Sequence, residues 1–139
     1  MEIITDFLDP HQYGSLQGNS AVHALVELTH NWLASLEEHG KAVRILLLDF
    51  RKAFDRVDHN ILLSKLTHAG IPEFIVHWVA AFLHQRKQRV KIGTDRSDWL
   101  QLNGGVPQGT LLGPICFLLH ISDLKTCCAD VKYADDSTI

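Results

Sequence analysis

The sequence predicts an α+β fold, and three observations carry that prediction. Four stretches, roughly 20–39, 58–68, 72–86 and 110–125, carry apolar residues at helical spacing or helix start and stop signals. Two short apolar runs, 43–50 and 131–133, read as strands. Between Tyr133-Ala134 and Ser137-Thr138-Ile139 stand two adjacent aspartates, Asp135 and Asp136, in the pattern of a polar hairpin turn.

Composition sets the bounds. At 139 residues the chain is one domain or part of one, long enough to bury a core. Apolar residues make up 46% and charged residues 21%, which is the globular range. The net charge of -3 gives no global basic footprint for nucleic acid, though it suits an acidic, metal-binding core. Cys116, Cys127 and Cys128 lack zinc spacing, so a reduced, intracellular chain (nucleus or cytoplasm) is expected. The acidic start, Met1 to Asp6, has no signal-peptide pattern. The longest apolar stretch, Leu111 to Ile121, is interrupted by Gly113, Pro114 and His120 and falls short of the ~20 residues that cross a bilayer. No membrane partner is expected.

Residues 1–19 read as irregular, punctuated by Pro10, Gly14 and Gly18. Asn19 or Ser20 caps the first helix, and Gly40 stops it. Val22, Leu25, Leu28, Trp32 and Leu36 form its apolar face. Glu27 and His30 have the Glu-x-x-His form of di-iron bundles, but the motif is not repeated, so a solvated polar face is the better account. Val43 to Phe50 reads as a buried strand. Asp58 caps a helix carrying Ile61, Leu62, Leu63 and Leu66, and Pro72 suits the first turn of the next one. That helix has a wide apolar face of Phe74, Ile75, Trp78, Val79, Phe82 and Leu83, with Trp78 in the core.

Arg86, Lys87, Arg89 and Lys91 are the densest basic run, alternating with Val90 and Ile92. Trp99, Leu100 and Leu102 supply a hairpin partner across a turn near 95–98. The run fits a solubilising edge strand or an edge that tracks phosphates, and by itself does not separate the two. Then comes Gly104-Gly105-Val106-Pro107-Gln108-Gly109-Thr110, opening the last helix. Glycines let backbone approach a ligand closely, and a helix start offers N–H groups to anions. The Lys-Ser/Thr ending of a phosphate-binding Walker loop is missing.

Two adjacent ionised carboxylates repel. Water relieves that repulsion in an ordinary turn; a cation relieves it in a site, with a further carboxylate from elsewhere. Asp49, which ends the 43–48 apolar run, is the candidate third carboxylate.

Three elements therefore stand in a definite order. They are a strand ending in Asp49-Phe50-Arg51-Lys52-Ala53-Phe54-Asp55, the loop Gly105-Val106-Pro107-Gln108-Gly109-Thr110 with Leu112-Gly113-Pro114, and Tyr133-Ala134-Asp135-Asp136. Together they resemble reverse transcriptases of non-LTR (LINE-like) retrotransposons, with group II intron enzymes more distant. Gln12-Tyr13-Gly14, Asp58-His59 and Gly70-Ile71 also fit that pattern, and the resemblance covers almost the whole chain. Ser15 departs from it, standing where the family has an aromatic residue.

The resemblance implies an antiparallel polymerase palm sheet packed on helices, with part of the fingers: an incomplete right-hand fold. It implies that residues 1–139 are a partial reverse transcriptase domain without its thumb. The activity implied is RNA-directed DNA polymerisation, transferring a nucleotide from a dNTP to a primer 3′-hydroxyl with an RNA template and a DNA primer. Two Mg²⁺ ions, or Mn²⁺ in their place, serve such chemistry. By resemblance, Asp49, Asp135 and Asp136 are the catalytic carboxylates, and the Phe50 carbonyl joins them on the metal. Phe54 gates the sugar and Gln108 contacts the nucleotide, with Arg51 and Lys52 near the triphosphate. Tyr133, Pro107, Gly109 and Arg89 lie along the primer and template. An isolated piece is expected to have little activity. The competing expectation is an inert remnant of a mobile element, or one reused as a binding module. Oligomeric state is left open.

Overall fold

The computed structural model describes residues 7–139, so the acidic start Met1 to Asp6 lies outside the described residues. The chain is mixed helix and antiparallel sheet. It forms two compact units, one of residues 8–53 and 121–139, the other built on 54–120.

In the first unit, helix α1 spans Ala21–Leu36. Ser20 caps it with extended backbone, its hydroxyl accepting from the His23 N–H at 3.4 Å. Strands β1 (Leu47–Asp49), β6 (Val131–Tyr133) and β7 (Asp136–Thr138) make an antiparallel sheet in the order β1-β7-β6. Helix α1 packs against β6. On the outer side of β6, the Gln12 region runs parallel: Tyr13 N–H donates to the Lys132 carbonyl, and Lys132 N–H to that of His11, both at 2.8 Å. Residues 9–14 are irregular, as expected, yet tied into this unit through that bridge.

In the second unit, a short 3₁₀ turn (Phe54–Arg56) leads to α2 (His59–His68). Asp58 caps α2, accepting from the Asn60 and Ile61 N–H groups at 2.8 and 3.0 Å. Those bonds, the Ile61 one first, hold its carboxyl below the usual carboxylate range. Helix α3 (Glu73–Leu83) packs on α2, with Pro72 at the cap position rather than inside the first turn. A hairpin follows. Strand β2 (Lys87–Gln88) pairs with β5 (Leu100–Gln101), and β3 (Lys91–Ile92) with β4 (Asp95–Arg96). Its turn lies at Gly93, where φ is +59°, and not at 95–98. Helix α4 (Leu112–Ile121) closes the order. Leu62, Leu66, Val79, Leu83, Cys116, Phe117 and Leu119 are buried. Each such aliphatic or aromatic side chain contributes roughly 1.5–3 kcal/mol by leaving water. The same burial pushes the Cys116 thiol up to about 11.

Two expectations about burial fail. Strand β1, expected to be buried, is exposed, with Leu47 at 76%. Trp78 is 58% exposed, so it is not a core residue; it stacks on Phe82 at the surface of α3. Periodicity reports that a face is apolar, not that another element covers it. No helix of the described residues is long and apolar enough to cross a membrane.

Candidate functional site

The candidate carboxylates are gathered by the three-stranded sheet. Pairing of β1 with β7 sets Asp49 directly opposite Asp136, and pairing of β6 with β7 sets Tyr133 opposite Asp136 on the other side. Asp135 precedes Asp136 in the connecting turn. Residues far apart in the chain thus meet because the hairpin pairs with the strand ending at Asp49. Asp49 and Asp136 are exposed and Asp135 half-buried. Directly opposed residues on antiparallel strands have Cβ atoms about 4.5–5.5 Å apart, and like charges there are destabilising. An acidic pair in this register favours a cation nearby. The donor set, carboxylates plus the carbonyl of Phe50, is the oxygen-rich kind that Mg²⁺ accepts. Among the described residues no group of three acidic, His or Cys side chains is already arranged to hold a metal.

The turn between β6 and β7 has an unusual backbone. Ala134, its first residue, has φ +55°, a region that primed hairpin turns require and that disfavours a side chain. Gln12 grips this residue. Its Oε1 accepts from the Ala134 N–H and the Gly14 N–H, each at 2.8 Å, and its Nε2 donates to the Ala134 carbonyl at 3.2 Å. A Cβ on Gly14 would lie 2.1 Å from the Ala134 nitrogen, so glycine is what allows the approach.

Beneath the turn lies a buried ion cluster. Lys132, 1% exposed, donates to Asp9 and to the Leu124 carbonyl, and pairs with Asp130 at 3.2 Å. Burial opposes charge on both Lys132 and Asp9. Their mutual bond and charges overcome it, aided by Asp130 for the lysine and by the His11 N–H and Lys125 for Asp9. The Lys132 ammonium therefore titrates above its usual range and the Asp9 carboxyl below its own. Glu27 corrects an expectation. It is not part of a solvated face, because it receives the Tyr13 hydroxyl and meets His11 Nδ1 at 2.8 Å. Arg51 and Lys52 are exposed beyond Asp49, Lys52 with φ +57°, and Phe50 is half-buried between them and the strand. Tyr133 is 40% exposed.

The remaining candidates lie in the other unit. Phe54 stacks on Phe117, ring centroids 5.0 Å apart, and its carbonyl accepts from the Val106 N–H at 2.8 Å. The glycine loop is shaped by backbone. Gly105 N–H donates to Val57 at 2.8 Å, the Gly105 carbonyl meets His59 Nε2 at 2.7 Å, and the Thr110 hydroxyl donates to the Pro107 carbonyl at 3.0 Å. Gly109 has φ +76°. A cleft of about 590 Å³ opens here, lined by Asp55, Arg86, Gln88, Gly105, Pro107 and Gln108. Gln108 is exposed on it. Arg89 lies 4.4 Å over the Trp99 ring, both on the outside of the hairpin.

The sequence marks Gln12 as part of a family pattern without giving it a role, and it gives no sign of the Lys132 cluster. The only available signal was the Gln-x-Gly spelling of residues 12–14, which names no contact.

The pattern of the family described as reverse transcriptase (RNA-dependent DNA polymerase) matches residues 1–139. Among curated proteins, the chain is 30% identical over 125 residues to a probable RNA-directed DNA polymerase from transposon BS of Drosophila melanogaster, covering 88% of this chain and 14% of that protein. It is also 30% identical over 123 residues to the RNA-directed DNA polymerase from mobile element jockey of the same organism, covering 88% and 13%. A Pol polyprotein from the type-1 retrotransposable element R2 of Popillia japonica is 28% identical over 87 residues, 63% of this chain and 14% of that one.

Proposed function

Given that the chain belongs to the reverse transcriptase (RNA-dependent DNA polymerase) family, we propose that it forms the catalytic segment of a longer RNA-directed DNA polymerase. It corresponds to most of a palm with part of the fingers. The first relatives it matches are many times longer, since the chain spans only 14% and 13% of them. Its substrates are a dNTP, a DNA primer and an RNA template, inside the cell. By itself the segment has little activity.

The single observation that carries this reading is the register. It sets Asp49 opposite Asp136, with Asp135 one residue away. Asp49, Asp135, Asp136 and the Phe50 carbonyl would hold Mg²⁺, or Mn²⁺. When bound, such ions supply charge stabilisation at the attacking 3′-oxygen and the leaving pyrophosphate. The chain's own groups do the rest. By family resemblance, Gln108 contacts the nucleotide with Pro107 and Gly109 shaping its loop, and Arg51 and Lys52 offset triphosphate charge. The Phe54 ring, held by Phe117, excludes a 2′-hydroxyl by bulk. Tyr133 supports the primer end, and Arg89 contacts the template strand backbone.

The test is primer extension on an RNA template with Mg²⁺, using the polymerase that carries residues 1–139 and its Asp135→Asn variant. The variant should be slower by roughly 100-fold or more, the equivalent of losing a few kcal/mol of charge stabilisation. Equal extension by both proteins removes Asp135 from the chemistry.

A further inference from the structure

The turn that carries Asp135 is strained, and something must hold it. A non-glycine residue in the left-handed region brings its Cβ too close to the following carbonyl oxygen. Ala134 stays at φ +55° only if its surroundings over-determine that geometry. The β6–β7 ladder that it closes does part of this, and one side chain 122 positions away does the rest. The Gln12 carboxamide bonds both the N–H and the C=O of Ala134. Gln12 is 3% exposed, so turning either peptide plane would leave buried polar groups unpaired. Each such loss opposes the rotation that would relieve the strain. The amide orientation is fixed too. Reversed, its NH₂ would face two backbone N–H donors, those of Ala134 and Gly14.

Gln12 is itself pinned. Its neighbours His11 and Tyr13 bond the Lys132 backbone, and both side chains meet Glu27 of α1. The peptide plane whose oxygen Gln12 Nε2 holds is the one that joins Ala134 to Asp135. Fixing that plane fixes the direction from which the Asp135 backbone, and then Asp136, enters β7.

We propose that Gln12 is a positioning residue for the polymerase centre, setting the carboxylates of Asp135 and Asp136 through the backbone of Ala134. The inference rests on the polymerase reading of those two aspartates. It assigns Gln12 no contact with nucleotide, metal or nucleic acid.

The experiment compares wild-type polymerase with Gln12→Met, Gln12→Glu and Asp135→Asn, measuring kcat, the half-saturating Mg²⁺ concentration and KM for primer–template. Gln12→Met keeps the length of the side chain and loses all three bonds. It should lower kcat roughly 10- to 100-fold and raise half-saturating Mg²⁺ several-fold, as removal of a partner behind a metal ligand does. KM for primer–template should stay within about twofold, because Gln12 does not touch the strand. Gln12→Glu keeps an acceptor for the two N–H groups, so its Mg²⁺ requirement should fall between those of wild type and Gln12→Met. If Gln12→Met is insoluble, an unchanged Mg²⁺ requirement in Gln12→Glu overturns the proposal. So does a Gln12→Met enzyme whose kcat drops with no change in Mg²⁺ requirement, since a merely structural role gives that result. An unaffected Gln12→Met beside an inactive Asp135→Asn overturns the positioning role and leaves the polymerase reading standing. An Asp135→Asn enzyme equal to wild type overturns both.

Discussion

The aspartate turn and the glycine loop solve the same problem in opposite ways. Both hold an irregular backbone in a defined shape beside candidate chemistry. The loop at 104–110 does it locally, with Gly105 at φ +78°, Gly109 at φ +76° and a Thr110 hydroxyl bonded three residues back. The turn at 133–136 has no glycine. Its strained Ala134 is held by Gln12, and its strand is anchored from beneath by Lys132 and Asp9. Glycine makes a shape permissible, whereas a remote clamp makes it obligatory. A loop that receives a changing ligand can use the first; a set of carboxylates that must converge needs the second.

The largest expected effect separates the two regions at the ion cluster. Lys132→Met removes the main cation from buried Asp9 and half-buried Asp130, leaving Asp9 only the exposed Lys125 at 3.8 Å, which should cost about 3–5 kcal/mol at neutral pH. The pH dependence has a definite sign. Asp9 titrates below its usual 3.8 and Lys132 above its usual 10.5. The cluster's contribution is therefore full between those two values. It falls as pH drops through the lowered Asp9 value, and again as pH rises through the raised Lys132 value. In Lys132→Met the stability gap to wild type should shrink in acid, once protonated Asp9 no longer carries a poorly compensated buried charge. Denaturation midpoints across pH measure this, and a gap that stays constant into the acid range breaks the account.

A smaller effect belongs to the loop. A Cβ on Gly113 would lie 2.3 Å from the Pro107 carbonyl oxygen. Gly113→Ala should therefore push the loop away from the start of α4, at about 1–3 kcal/mol, typical of forced overpacking. Hydrogen exchange at residues 105–112 should rise in step. A variant as stable and as protected as wild type means that the loop yields freely, and the contrast with the clamped turn is then lost.

How much of this was readable from the letters differs along the same line. Helix starts were legible because a cap is local: Ser20 and Asp58 act where the spelling put them. The glycine loop was legible for the same reason. The pairing of Asp49 with Asp136 was legible only through the resemblance, since electrostatics alone left an ordinary solvated turn open for the two neighbouring aspartates. The clamp was not, because a lone Gln12 acquires meaning only when the chain returns 122 positions later. Burial was misread where it depended on a cover. Leu47 and Trp78 sit on apolar faces, yet no described residue covers them. The helix around Glu27 was misread for a related reason, since its partners His11 and Tyr13 come from a segment without periodicity.

The smallest predicted effect marks where the clamp ends. Ser137 sits on the central strand β7, one residue after Asp136, in register with Leu48 on β1 and Lys132 on β6. Alternation along β7 turns it to the face opposite Asp136, and it is 3% exposed. Among the described residues its hydroxyl has no hydrogen-bond partner. A buried hydroxyl without a partner opposes folding, so removing it should be neutral or slightly favourable. Ser137→Ala should raise stability by no more than about 0.5–1 kcal/mol and leave the Mg²⁺ requirement unchanged. A loss above that size in a denaturation experiment means that the hydroxyl is bonded after all, and the clamp then extends from the turn into β7. Neutrality confines the clamp to Gln12 and the Lys132 cluster. The alternation of β7 then separates its two faces, with Asp136 exposed on one and Ser137 filling space on the other.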